Sequence, residues 1–129
     1  MLRVLSRGLP HAKIFIAAQL GMPATEWPTY TPAQRRQFGG TGPCDYLNPQ
    51  GKVVPGRMAR LTRVIRGYEA QVAATCKHVP RCFTDNSLYT RQVHRRQYVS
   101  EDLNHLTVAG HAWAARVAWA AMRHTSVVP

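Results

Sequence analysis

The chain has 129 residues, 45% of them hydrophobic and 18% charged, a balance that fits one folded domain and excludes a disordered polar tail or two ordinary domains. Seventeen Lys and Arg against six Asp and Glu give a formal charge of +11, which favours encounters with polyanions without itself making a binding site. No run approaches the roughly 20 uninterrupted apolar residues that a membrane-spanning helix needs.

At the N-terminus Leu2, Val4, Leu5 and Leu9 alternate with Arg3 and Arg7 as in the end of an amphipathic helix, stopped at Pro10. Basic residues followed by Ile14-Phe15-Ile16-Ala17-Ala18 imitate a secretion signal, but Pro10 and Lys13 interrupt the apolar region, and a helix, a turn and a buried strand account better for the same letters. The run from 13 to 18 suits an interior strand of a parallel sheet covered on both faces. From 21 to 55, prolines at 23, 28, 32, 43, 49 and 55 and the Gly39-Gly40 pair predict a long irregular segment of the kind that carries function or covers a site.

Met58, Leu61, Ile65, Tyr68 and Val72 recur three and four apart, so 56 to about 75 is expected to be a helix with one buried face. Arg57, Arg60, Arg63 and Arg66 fall on its solvated side. Cys82-Phe83-Thr84 is the core of a second short strand, and 86 to 100 is a polar, arginine-rich loop. Arg91, Arg95 and Arg96 in that loop lack the interleaved aromatics of a base-stacking surface. Thr107 can cap a last helix running to about Arg123, with Val108, Ala112, Ala115, Trp119 and Met122 on one face. This order of elements belongs to a parallel α/β layered fold.

Three cysteines are present, Cys44, Cys76 and Cys82. Cys76 and Cys82 bracket Lys77-His78-Val79-Pro80-Arg81 and could close a small disulfide loop in an oxidising compartment. Zinc is the alternative, with His78 between the thiols, although the paired CxxC spacing of a structural site is missing. Cys44 is left without a partner within the chain.

The segment Ser100-Glu101-Asp102-Leu103-Asn104-His105 precedes the last helix. A carboxylate three residues before a histidine, just ahead of a helix, can place both side chains in one loop at the end of a sheet. There the imidazole can take a proton from a nucleophilic hydroxyl and return it to the leaving group, while the carboxylate fixes its tautomer. On spacing alone the same letters also read as an ordinary helix start, with Asp102 or Thr107 as its cap. Ser87, in Asp85-Asn86-Ser87-Leu88, is the only serine with an echo of a nucleophile block, and a turn explains it better. His111 lies six after His105, on a different helical face, so a shared metal is not expected.

Asp102-Leu103-Asn104-His105-Leu106, followed by Val108-Ala109-Gly110-His111 and an alanine-rich helix with Trp119, resembles the last block of the SGNH (GDSL-type) hydrolases. Pro10-His11-Ala12-Lys13-Ile14, Gly42-Pro43-Cys44 and Val79-Pro80-Arg81-Cys82 are similar to secreted members of that family. The resemblance implies a partial three-layer, flavodoxin-like α/β fold, with residues 1 to 129 forming the C-terminal part of a single domain. It implies action on a small-molecule or lipid carboxylic ester, with His105 as general base and Asp102 as its orienting acid, no cofactor, and a secreted parent protein.

The serine block and the oxyanion-hole glycine and asparagine blocks of the family are not recognisable in this sequence. The expectation is therefore a chain inactive by itself, completed by an N-terminal half that supplies the serine. From a different class comes a non-enzymatic basic module binding nucleic acid or an anionic surface. A third expectation is instability, because a partial parallel sheet leaves unpaired edges and an uncovered apolar face.

Overall fold

A computed structural model describes residues 2–40, 45–92, 95–102 and 105–129. In chain order these form α1 (Leu2–Gly8), β1 (Ile14–Ile16), α2 (Pro23–Glu26), α3 (Pro32–Phe38), α4 (Pro55–Cys76), β2 (Cys82–Thr84) and α5 (Val108–His124), with single 3-10 turns at Trp27–Thr29 and Arg96–Tyr98. The chain is thus mixed α/β. Its two strands pair in parallel with Phe15 opposite Phe83, joined by a crossover that contains α4, the connection parallel strands require. Among the described residues β1 has one strand neighbour, not two. Its three residues are half-buried, so the doubly covered interior strand expected from its apolar letters is here an edge.

The parallel pair is locked at its C-terminal end by the buried carboxylate of Asp85. Asp85 Oδ1 accepts from the backbone N–H of Ala18 at 3.1 Å and of Ser87 at 3.3 Å, and Oδ2 accepts from Tyr89 N–H at 2.8 Å. One side chain therefore satisfies donors from both strand ends and the following turn, in a place where water cannot fully replace it. The turn itself holds Asn86 and Ser87 at positive φ.

The segment from 21 to 55 is not irregular throughout. Pro23, Pro32 and Pro55 each stand in the first turn of a helix, where proline's missing N–H costs nothing and its fixed φ is already helical. Thr31 and Gln34 close a reciprocal capping box on α3. The segment builds a small core of its own: Tyr46 and Leu47 are buried against Met58 of α4, with Trp27, Val53 and Leu61 packed around them. The Arg35 guanidinium lies 4.4 Å above the Trp27 ring.

Helix α4 buries Met58 and Ile65 and exposes Arg57, Arg60, Arg63 and Arg66, as its periodicity predicts. Tyr68 and Val72 of the same apolar stripe are exposed instead. Helix α5 departs further. Gly110 and Ala121 are its buried residues, whereas Val108, Ala112, Ala115 and Trp119 of the face read from the sequence are all exposed, Val108 being 88% accessible. Periodicity identifies an apolar face, and this chain packs the opposite side of α5 inward. Cys76 and Cys82 form a disulfide that joins the end of α4 to the start of β2, which removes the zinc alternative for these thiols. Cys44 lies outside the described residues.

Replacing Asp85 by Ala is expected to destabilise the fold by about 3 kcal/mol, because backbone donors lose a buried acceptor; urea unfolding measures it. Asp85→Asn should lose less, since its amide oxygen still accepts.

Tyr89 donates its hydroxyl to Ala114 O of α5 at 2.5 Å, and burial, followed by the Asp85 charge, raises its pKa above the ordinary tyrosine value. A folded-state pKa above the unfolded one favours the protonated, folded protein, so this contribution is present below about pH 10 and lost as the pH rises through the folded pKa. Stability of the parent chain should therefore fall more steeply than that of Tyr89→Phe in alkaline solution.

Candidate active site

The loop that follows β2 turns back on itself before α5. Val99 and Leu106 form an isolated antiparallel bridge, and Ser100 N–H donates to His105 O at 2.8 Å. Within this pinched loop the structure brings Asp102 and His105 together. His105 Nδ1 lies 2.5 Å from Asp102 Oδ2, and His105 backbone N–H donates to Asp102 Oδ1 at 3.0 Å. An ionised carboxylate only accepts, so Nδ1 carries the proton, and in the neutral imidazole Nε2 is then the basic nitrogen.

The acid has a support of its own. Ser100 Oγ lies 2.5 Å from Asp102 Oδ1 and 3.0 Å from His105 O. The three side chains are therefore held by contacts within six residues of sequence. The His105 side chain is 74% accessible and that of Asp102 48%. Among the described residues no hydrogen bond reaches His105 Nε2. A base in this state can take a proton from a hydroxyl or a water brought to it, and its acid can stabilise the imidazolium that results.

The position of the loop is set by α5. Thr107 Oγ1 caps the helix by accepting from Gly110 N–H at 3.1 Å and donates to Gln97 O at 2.9 Å. Tyr98 stacks on Trp113 with ring centroids 5.3 Å apart and planes 17° from parallel. Gly110 makes this approach possible, since a Cβ there would lie 2.1 Å from Tyr98 O. Trp113 is thus a packing residue.

The other candidates fall elsewhere. Ser87 donates its hydroxyl to Glu69 Oε2 at 3.2 Å, and among the described residues it makes no hydrogen bond to His105. His111 is an exposed residue of α5, and His78 is exposed in the turn after α4. Among the described residues no group of three or more His, Cys, Asp or Glu side chains could hold a metal ion, and no helix is long and apolar enough to cross a membrane. Leu103 and Asn104 of the motif lie outside the described residues.

Sequence reasoning singled out Asp102 and His105 but missed Ser100, Gly110 and Glu69. The signal for Ser100 was available, because a hydroxyl two residues before an acid can bond it within a turn. Gly110 and Glu69 act through partners distant in sequence, and no local pattern marks them.

Gly110→Ala is expected to cost roughly 2 kcal/mol, because the new methyl forces α5 and the Tyr98 backbone apart. The amide NMR signals of Ser100, Asp102 and His105 should shift while those of the paired strands stay in place; an unchanged loop would remove α5 as its support. Comparison of the chain with protein-family models, with curated proteins and with solved structures finds no match.

Proposed function

We propose that this chain carries the acid–base half of a carboxylic ester hydrolase of the SGNH type, with His105 as general base and Asp102 as its orienting acid. The supporting observation is the Asp102 Oδ2 to His105 Nδ1 contact of 2.5 Å, made by a carboxylate that Ser100 and the His105 backbone hold from its other oxygen. This is the division of labour a serine hydrolase asks of its acid and base. The parallel strand pair followed by a loop bearing acid and base is compatible with the three-layer α/β arrangement of that family.

In the proposed reaction a serine hydroxyl from sequence outside this chain approaches Nε2. His105 takes its proton as the oxygen attacks the ester carbonyl, then returns the proton to the departing alkoxide. Asp102 stays ionised throughout and stabilises the imidazolium between the two transfers. The substrate is a small-molecule or lipid ester, and the partner is the serine-bearing N-terminal half of the domain.

The test is hydrolysis of a short-chain nitrophenyl ester by this chain and by a longer product that includes the sequence encoded upstream of it. The chain alone should not exceed buffer. The longer product should hydrolyse the ester and lose at least about 10³-fold in kcat/KM on His105→Ala, with Ser87→Ala unchanged. An inactive longer product, or activity of the chain alone that both variants abolish, would overturn the reading.

The exposed Arg60, Arg63 and Arg66 of α4 favour a second reading, a basic module for nucleic acid or another polyanion. It requires an affinity that falls steeply with salt and ignores His105→Ala.

A further inference from the structure

A cleft of about 370 Å³ opens beyond the C-terminal ends of the two strands, between them and α4. That volume falls within the range of small-molecule pockets, and the carboxyl end of a parallel sheet is where α/β proteins bind ligands. It shares no lining residue with the loop of Asp102 and His105. Its walls are apolar, built by Ile65, Tyr68 and Val72 of α4 and by Ile16 and Ala17 at the end of β1. Its polar side is formed by Glu69 together with the turn from Thr84 to Ser87.

The charges of the lining all have one sign. Among the described lining residues Glu69 and Asp85 are the only charged ones, although the chain carries seventeen Lys and Arg. Asp85 is fully engaged by three backbone N–H groups, as described above. Glu69 differs. Its Oε2 accepts from the Ser87 hydroxyl and its Oε1 lies against Thr90 Oγ1, whose single proton is also within reach of Gln19 O, and among the described residues no Lys, Arg or His pairs with it. A neutral hydroxyl orients a carboxylate without neutralising it, and this one lines an otherwise apolar cavity. Tyr68, exposed at the rim, adds an aromatic face, which attracts cations.

We propose that this cleft is a binding site for a small organic ammonium ion with an apolar body, Glu69 being the counter-charge and the walls of α4 and β1 holding the body. Carboxylate, hydroxyls and apolar walls together select against an anion of the same shape and favour the cation over a neutral isostere. The inference is independent of the esterase reading.

The experiment titrates the chain with 2-phenylethylammonium, 2-phenylethanol and phenylacetate at equal ionic strength, following the methyl NMR signals of Ile16, Ile65 and Val72. The ammonium should shift these methyls and bind at least about tenfold tighter than the alcohol, with the anion weakest; tenfold corresponds to about 1.4 kcal/mol. Glu69→Gln keeps the shape of the side chain and one acceptor oxygen but removes the charge. It should bring the ammonium down to the affinity of the alcohol and leave the alcohol unchanged. Val72→Trp, which fills the cleft from its wall, should abolish both. Equal binding of the three probes, no shift at these methyls, or an unchanged preference in Glu69→Gln would overturn the proposal.

Discussion

A parallel pair of three-residue strands has little to hold it. Its backbone hydrogen bonds are few, its residues are half-buried, and its strands meet only after a long crossover. The Asp85 carboxylate supplies what the ladder lacks, gathering backbone donors from the end of β1 and from the turn after β2. The path of the chain beyond β2 depends on this junction. It places Ser87 and Thr90 against Glu69 of α4 and Tyr89 against α5, so both long helices are referred to the strand ends through the same turn. The disulfide does the corresponding work at the opposite end of β2, where Cys82 is tied to the last residue of α4.

What could be read in the sequence was whatever is decided within a few residues. The helical period over 55 to 76, the two apolar strand runs, the Thr107 cap and the Asp102–His105 pair are all local, and each stands close to where its letters placed it. The prolines misled because the same residue that breaks a helix also begins one. Met22 and Val54, which precede the helices started by Pro23 and Pro55, provide no side-chain cap, so nothing distinguished a starter from a breaker. Thr31 and Gln34 did carry a capping signature.

The larger shortfall is in what the apolar faces touch. A stripe such as Val108, Ala112, Ala115 and Trp119 shows that a helix has an apolar side, but not that the chain contains anything to cover it. In α5 the small residues Gly110 and Ala121 go inward, Gly110 because the Tyr98 backbone comes too close for a side chain, while the bulkier stripe is left to solvent. The exposed Tyr68 and Val72 of α4 and Val4 and Leu9 at the N-terminus follow the same pattern. Burial is a property of pairs of elements, and one sequence states only half of each pair.

The described hydrogen bonds that join Ser100, Asp102 and His105 lie within six residues of sequence. None of them involves what stands opposite the imidazole. A carboxylate and an imidazole brought together from distant strands would drift apart whenever the framework around them changed, but a pair bonded through its own neighbours in sequence travels with them. Such a pair can be carried from one polypeptide context to another with its relative geometry kept.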